Sequence, residues 1–364
     1  MELRISGGRF LRGSLLAILT ATIAGCGSAN HAASSQAPAA AVAELDENKP
    51  AGPIYVPPPQ PAPEQATLYV DGQLLPIPTP QQAAWEDDEL GTFFHLDIEV
   101  FDKDYQARAV REDQLPPDTH RTERGRGVPL GSIDAKEFDP THLDTDQWMR
   151  VAKSMGARYA VFTAKHSSGF LMWPSDLFPY GVRQAAWEDG KGDVVADYLA
   201  SCRKFGISPG LYCSAEGQSY WMMHHARIVY HHGVLSGPPE VAREFLDMDE
   251  RMYAQLWEHA GPIGYMWFDG GVNPFGPELS PIIARLEPKM VCFNGPMGGA
   301  PGGLARWSGN EKGYVVYPTW DTTDITNDQI DRGTGSAEGK YWVPVEANVP
   351  LRYHVWMWQS DTQD

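Results

Sequence analysis

The sequence has few cysteines, and none of them are spaced as a metal or redox motif would require. Its 364 residues include 4 cysteines and no CxxC pair. This count gives no support to a zinc ribbon or to a disulfide framework. Apart from Cys26, the remaining Cys202, Cys213 and Cys292 form an odd set, and we expect them to be buried thiols on one helix and two strands.

Positive charge is also scarce. The chain has 29 Lys and Arg against 47 Asp and Glu, a formal net charge of −18. Phosphate backbones repel such a chain, so nucleic acid is not an expected partner. A glycine-rich phosphate loop is missing after the first apolar strand, which removes the main support for a doubly wound nucleotide-binding sheet.

No apolar run after the first 25 residues is long enough to cross a bilayer, and the N-terminal one is short as well. Three arginines in the first 12 residues precede an apolar stretch around residues 15–19. This order is typical of a secretory signal, and its apolar part is too short to span a membrane. Ala24-Gly25-Cys26 resembles a bacterial lipobox, although an ordinary signal peptide would explain the same residues. We expect a signal peptide over 1–25 and a lipid on Cys26. Gly27 favours a place in the cell envelope at the outer membrane, either on its periplasmic face or exposed on it.

Residues 26–65 are rich in Ala, Ser and Pro and poor in large apolar residues. Such a segment cannot bury enough surface to offset the entropy of ordering, which predicts a flexible or extended tether. The remaining span, 66–364, is long enough for one large domain with a substantial core.

Strand-like and helix-like segments alternate along this domain. Strands are predicted at 91–100, 158–163, 207–213, 263–268 and 290–293, with weaker ones near 306–308 and 341–345. Amphipathic helices are predicted at 146–155, 193–205, 241–259 and 280–286. This alternation indicates a parallel sheet.

Polar or aromatic residues follow one strand after another: His95, His166, Tyr212, Asp269 and Asn294. The C-terminal ends of barrel strands meet at one face, where barrel enzymes have their active sites. The sequence therefore predicts a (β/α)8-like TIM barrel, with an open doubly wound sheet as the runner-up. About seven strands can be counted, one fewer than a closed barrel needs.

Three segments have residues suited to chemistry on sugars. Trp267-Phe268-Asp269-Gly270 places a carboxylate beside an aromatic wall, Arg306–Gly313 offers a second carboxylate at Glu311, and Lys165-His166 ends a strand with hydrogen-bond donors. Taken alone, each has an ordinary explanation: a capped turn, a solvated loop or a structural histidine.

Together these segments resemble glycoside hydrolase family 29, the α-L-fucosidases, over most of the domain. The similar blocks are Phe93-Phe94-His95, Phe138-Asp139-Pro140, Thr163-Ala164-Lys165-His166, Trp173-Pro174-Ser175, Gly190-Lys191-Gly192-Asp193, Gly210-Leu211-Tyr212, Trp267-Phe268-Asp269-Gly270, Arg306-Trp307, Gly309-Asn310-Glu311 and Trp342–Glu346. The block ending in Glu311 is similar to the subfamily that acts on α-1,3 and α-1,4 fucosyl linkages.

The resemblance implies a retaining hydrolase of fucosylated oligosaccharides or glycoconjugates, with no cofactor and no metal. Asp269 would be the nucleophile and Glu311 the general acid/base, with Glu346 as the rival for the acid role. The side chains that would bind substrate are those of His95, His166, Tyr212, Trp267, Arg306 and Glu346. The two catalytic carboxyl groups of a retaining enzyme should lie roughly 5–5.5 Å apart.

The chain departs from the family at two places. The family has His-His-Asp where this chain has His166-Ser167-Ser168, so one imidazole and one supporting carboxylate are missing. The family also continues into a last barrel strand and often a C-terminal β-sandwich, which we expect this chain to lack. An open barrel exposes two strand edges.

These departures leave other functions open. The alternative to an active hydrolase is a non-catalytic glycan-binding lipoprotein on the same barrel, and a weaker one is a glycosidase for a related sugar such as galactose. The pairs His224-His225 and His231-His232 suggest a metal site, but no carboxylate or cysteine accompanies them, so no metal is predicted there.

Overall fold

The computed structural model describes residues 16–21, 65–101, 133–166, 168–177, 179–214, 239–272, 278–296, 299–324, 334–351 and 356–358, together with short pieces between 217 and 235. Cys26 and nearly all of the predicted tether lie outside these residues.

Eight parallel strands form a closed barrel. In chain order they are β1 (Leu16–Ala21), β2 (Leu90–Phe94), β3 (Tyr159–Lys165), β4 (Ser208–Ser214), β5 (Tyr265–Asp269), β6 (Val291–Phe293), β7 (Leu304–Trp307) and β8 (Val345–Pro350). Each strand from β2 to β8 pairs with the next one in the chain, and β1 lies between β8 and β2. The predicted barrel is confirmed.

The domain from residue 66 onward supplies seven of these strands, as the sequence predicts. The eighth position is occupied by β1, which comes from the apolar part of the predicted signal peptide. Leu16 pairs with Glu346 of β8, and Ala17 pairs with Leu90 of β2. A short apolar segment such as this can form a barrel strand because both strand edges beside it need partners.

Helices cover the outside of the barrel. They are α1 (Pro80–Asp87), α2 (Thr145–Ser154), α3 (Val194–Phe205), α4 (Pro239–Ala260) and α5 (Ser280–Leu286). Asp144 and Asp193 accept a backbone hydrogen bond at the starts of α2 and α3, and Gly206 ends α3 with a left-handed backbone. The four helices predicted from residue 146 onward are confirmed to within two residues.

The first strand is shorter than predicted. It ends at Phe94, and a 3-10 turn follows at Ile98–Phe101. The cause is local: Asp97 Oδ1 accepts the backbone N–H of Ile98 at 2.8 Å and bends the chain after His95. The predicted strand at 341–345 is also divided, because Tyr341–Trp342 pairs with Thr322–Thr323 in a separate small sheet.

Two apolar layers build the core. The inner layer fills the barrel and includes Phe93, Tyr159, Tyr265, Trp267 and Phe293. The outer layer lies between strands and helices. Trp85 of α1 packs on Tyr265 with ring centroids 5.0 Å apart, and so closes the N-terminal end of the barrel.

The remaining described elements are small. Thr67–Val70 and Gln73–Pro76 form a hairpin, and short antiparallel strands lie at Gly217–Gln218, Met223–His224, Arg227–Tyr230 and Gly233–Leu235. Two further 3-10 turns lie at Val182–Gln184 and Trp187–Gly190, and another at Ala135–Glu137.

The three predicted thiols are free and buried on α3, β4 and β6. Within the described part of the chain, no helix has the length and apolar character to cross a membrane.

Candidate active site

A cavity of about 380 Å³ opens at the C-terminal ends of the barrel strands. This volume is within the roughly 300–1,000 Å³ that is usual for small-molecule sites. The five strand-end residues predicted to converge all line it: His95, His166, Tyr212, Asp269 and Asn294. The cavity is also lined by Trp267, Arg306 and Glu311, and by five side chains that were not predicted as site residues: Phe93, Phe293, Trp307, Asn348 and Trp356.

Asp269 is the last residue of β5 and reaches the cavity with an exposed side chain. Gly270 and Gly271 follow with φ of 81° and 76°, a backbone turn that side-chain-bearing residues rarely adopt. The Tyr212 hydroxyl donates a hydrogen bond to Asp269 Oδ2. Burial first, and the Asp269 charge second, raise the pKa of Tyr212 well above its ordinary value. Tyr212 is therefore a protonated donor that fixes one oxygen of Asp269.

Glu311 lies in the loop after β7, is half-buried and lines the same cavity. The loop holds its shape through Asn310, which accepts the N–H of Lys312 at 2.9 Å and donates to the carbonyl of Tyr314 at 3.0 Å. Gly309 and Gly313 have φ of 78° and 74° on either side of it. The two acids predicted to act together thus belong to one pocket, on β5 and after β7. Their catalytic roles stay predictions.

Aromatic rings form one wall of the cavity. Trp267 stacks on Phe293 with centroids 3.9 Å apart and on Tyr212 at 5.7 Å. Trp307 is fixed by its Nε1, which donates to Asn348 Oδ1 at 2.8 Å. Such a wall suits the apolar face of a sugar ring.

His95 and His166 stand beside each other, with ring centroids 6.3 Å apart. Burial first, and the neighbouring His166 second, lower the pKa of His95 well below its ordinary value. His95 is therefore neutral, and a neutral imidazole offers one donor and one acceptor. His166 stacks on Tyr212 at 5.6 Å with an interplanar angle of 14°.

Glu346 was predicted to contact substrate, but its position in the structure is different. Its side chain on β8 is fully buried and is not part of the cavity lining. Its two oxygens accept hydrogen bonds from the Tyr265 hydroxyl at 2.7 Å and from Trp267 Nε1 at 2.9 Å. Burial raises the pKa of Glu346 to about 7, against the opposing effect of those two bonds. Glu346 supports Trp267 from within the barrel.

Two predicted donor residues are also directed elsewhere. Lys165 is fully buried and forms an ion pair at 3.4 Å with Asp249 of α4, outside the barrel. Arg306 lines the cavity but is 2% exposed, and its guanidinium donates to the carbonyls of Val343 and Trp320. Both residues stabilise the scaffold around the site.

Asp97 is a residue of this site that the sequence did not single out. It is fully buried three residues after β2, and its carboxylate lies 3.6 Å from His166. Burial raises its pKa, and the nearby His166 is the first of the opposing effects. Its position two residues after His95 at a strand end was the signal that could have found it. Ser168 donates to it, whereas Ser167 lies outside the described residues.

Asp97, Glu99 and His166 are also the described residues that could hold a cation, since one ligand atom from each lies within 4.8 Å of the others. Asp97 Oδ1 already accepts two hydrogen bonds, from Ile98 and Ser168, so Oδ2 is the oxygen of Asp97 that could act as a ligand. Of the histidine pairs, His224 is in a short strand and the other three histidines lie outside the described residues.

Comparison with known proteins identifies relatives for most of this barrel. The family model described as alpha-L-fucosidase matches residues 77–363. Alpha-L-fucosidase 1 of Arabidopsis thaliana is 28% identical over 303 residues, which are 79% of this chain and 51% of the relative. The chain thus spans about half the length of this curated relative.

Two solved structures are similar in fold. A putative alpha-L-fucosidase from Bacteroides thetaiotaomicron superposes with a TM-score of 0.64 and 32% identity, over 78% of this chain and 64% of the other. A glycoside hydrolase 29 family member from an unknown rumen bacterium gives a TM-score of 0.54 and 25% identity, over 75% of this chain and 46% of the other.

Proposed function

The chain belongs to the α-L-fucosidase family of glycoside hydrolases, and on this basis we propose that it is a retaining exo-α-L-fucosidase. The observation that supports the proposal is the position of two carboxylates in one sugar-sized pocket. Asp269 and Glu311 line the same cavity beside the stacked rings of Trp267 and Phe293.

The first chemical step of the proposed mechanism is attack on the anomeric carbon. Asp269 forms the new C–O bond while the bond to the leaving oxygen breaks and Glu311 gives that oxygen a proton. The Tyr212 hydroxyl holds one Asp269 oxygen in place, so that the other is free for the attack. An oxocarbenium-like transition state has lost part of its ring-oxygen electron density, and the Asp269 charge stabilises it.

In the second step the Glu311 carboxylate takes a proton from water, and that water displaces Asp269 from the anomeric carbon. Each step inverts the anomeric centre, so the product keeps the α configuration. His95 and His166 would hold the sugar hydroxyls, since both line the cavity and His95 is neutral.

The proposed substrates are fucosylated oligosaccharides or glycoconjugates, with α-1,3 or α-1,4 linkages. The linkage part of the proposal rests on the likeness of the Gly309-Asn310-Glu311 block to the subfamily that acts on such linkages.

The test is release of L-fucose from a fucosylated trisaccharide by the full chain and by three variants. Asp269→Ala and Glu311→Ala should each lower kcat by about a thousandfold or more, because each removes a reacting group. Asp324→Ala is the matched control, since this aspartate is exposed and does not line the cavity. NMR of the first product should show α-fucose before mutarotation.

Azide distinguishes the two roles. With Asp269→Gly and an activated fucoside, azide replaces the nucleophile in a single inversion and gives the β-azide. With Glu311→Ala, azide attacks the fucosyl-enzyme and gives the α-azide. Activity that survives Asp269→Ala would refute the assignment, and sugar binding without any hydrolysis would support a glycan-binding protein in its place.

We further propose that the protein is a lipoprotein of the bacterial cell envelope, anchored through Cys26. The support is the basic start, the short apolar stretch and Ala24-Gly25-Cys26. Labelled fatty acid should be incorporated into the wild type and lost in Cys26→Ser, with Cys202→Ser as the matched control because that thiol is buried in the domain.

A further inference from the structure

Asp97 has an unusual environment for a carboxylate so close to a substrate pocket. Its side chain is fully buried after β2. Oδ1 accepts hydrogen bonds from the backbone N–H of Ile98 at 2.8 Å and from the Ser168 hydroxyl at 2.7 Å. The other oxygen, Oδ2, has no hydrogen-bond partner within the described part of the chain. A buried carboxylate with a free oxygen is costly unless that oxygen has a use.

The direction of the Ser168 hydrogen bond is fixed by a second contact. The backbone N–H of Phe170 donates to Ser168 Oγ at 3.0 Å, which uses a lone pair of that oxygen. The hydroxyl hydrogen is then available for Asp97, and a carboxylate can only accept. Ser168 is therefore a donor that holds Asp97 in place, and it is one of the two residues that depart from the family pattern.

The free oxygen faces a residue of the pocket. Oδ2 lies 3.6 Å from Nδ1 of His166, close enough for an ion pair and slightly too long for a hydrogen bond. Contacts of this kind are often long without substrate and tighten when it binds. A carboxylate bound to Nδ1 leaves Nε2 of the same imidazole to face the ligand, and fixes the ring orientation.

We propose that Asp97 is the positioning residue of His166 and replaces, from a different strand end, the supporting carboxylate that is missing at position 168. This inference rests on the proposed function. In this view the changes at positions 97 and 168 compensate each other. The supporting carboxylate lies after β2, at Asp97, and the position after β3 that has the carboxylate in the family pattern has the hydroxyl of Ser168. Ser168 Oγ and Asp97 Oδ1 are now 2.7 Å apart and joined by a hydrogen bond. If both residues were carboxylates, two negative charges would face each other at about this distance in a buried site and would repel strongly.

The experiment compares Asp97→Asn, Ser168→Asp and the exchange variant Asp97→Ser with Ser168→Asp. Asp97→Asn keeps the shape and the acceptor at Oδ1, so it should fold, and it removes only the charge toward His166. We measure kcat and KM on the fucosylated trisaccharide, Kd for L-fucose by calorimetry, and Tm. Glu287→Gln is the matched control, because Glu287 is also buried but bonds to Ile263.

Asp97→Asn should raise both KM and the Kd for L-fucose about tenfold, with a smaller change in kcat. Ser168→Asp alone should lower Tm and weaken binding at least as much. The exchange variant should bind fucose within about threefold of the wild type. A chelator should change none of these values.

Several results would overturn the inference. One is an Asp97→Asn protein that binds fucose as the wild type does. Another is an exchange variant no better than the worse of its two single changes. A third is loss of activity with chelator and its return with added zinc or calcium, which would make Asp97 a metal ligand. A wild type that neither binds nor hydrolyses fucose would overturn the proposed function itself, together with this inference.

Discussion

Glu346→Gln tests the division of roles between Glu346, which is buried within the barrel, and the two acids that line the cavity, Asp269 and Glu311. Burial raises the pKa of Glu346 from 4.5 to about 7, while the hydrogen bonds from Tyr265 and Trp267 oppose that rise. The folded chain therefore binds this proton more tightly than the unfolded chain. The stabilisation is fully present below pH 4.5 and is lost as the pH rises through 7. At 1.36 kcal/mol for each pKa unit, the loss is about 3 kcal/mol.

Glutamine cannot lose this proton, so the variant should have a flatter stability curve. The measurement is the free energy of unfolding by denaturant at pH 5 and pH 8, for the wild type and the variant. Part of this loss has already occurred at pH 5, so the wild type should lose about 2.5 kcal/mol more than the variant over this range. Glu258→Gln is the control, because it makes the same chemical change at a side chain that is 60% exposed. Equal slopes in wild type and Glu346→Gln would refute the burial argument.

The same variant separates the two candidates for the acid role. The amide of Glu346→Gln can still accept from Trp267 Nε1 and can donate to the Tyr265 oxygen, so the aromatic wall should stay in place. We expect kcat within about tenfold of the wild type, because an indirect support contributes less than a reacting group. Glu311→Gln should reduce kcat far more. The opposite order would transfer the acid role to Glu346.

Two other side chains and the first strand offer further tests. Tyr212→Phe removes the hydrogen-bond donor to Asp269, so steady-state kinetics should show kcat lowered about tenfold. Thermal unfolding should show little change in Tm. An unchanged kcat would contradict the positioning role of Tyr212. His259→Gln should destabilise the chain by up to about 1 kcal/mol at pH 6 and by less at pH 8.5, as measured by denaturant unfolding. The reason is that the hydrogen bond to Asp193 raises the pKa of His259, so the stabilisation is present below pH 6.5 and is lost as the pH rises through the pKa of the folded chain. An equal loss of stability at both pH values would contradict this prediction. Removal of residues 1–25 takes away β1 and leaves the edges of β2 and β8 unpaired. The shortened chain should therefore have a lower Tm and a stronger tendency to aggregate than the full chain. Identical thermal unfolding and light-scattering curves would show that β1 is not needed.

Most of the barrel could be predicted because its signals are local. Each predicted helix after residue 145 has an apolar face and a start or stop residue, such as Asp193 before α3 and Gly206 after it. Strand ends in a parallel barrel meet at one face by topology, which is why five residues far apart in sequence could be assigned to one cavity. The acids Asp269 and Glu311 were found through the same rule together with family resemblance.

Side-chain direction near a strand end was harder to predict. The pairing of β3 with β4 shifts register between Thr163 and Lys165, so the usual alternation fails at that point. Lys165 then points to Asp249 in the helix layer, while His166 lines the cavity. A one-residue irregularity of this kind has no composition signal, and it reverses the side on which a side chain lies.

The place of β1 follows from a competition between two uses of one apolar segment. Lipidation of Cys26 requires cleavage after residue 25, and cleavage removes Leu16–Ala21. A molecule that keeps β1 in its barrel therefore has no lipid on Cys26, and a lipidated molecule has the edges of β2 and β8 available to another strand. The site itself depends little on this choice, because Asp269, Glu311, Asp97 and His166 all lie on or after strands other than β1. What does depend on it is Glu346, whose neighbour in the barrel is Leu16. If β1 is absent, water reaches that side of β8, and the burial that raises the pKa of Glu346 is reduced. The pH slope of stability thus reports on barrel closure as well as on Glu346.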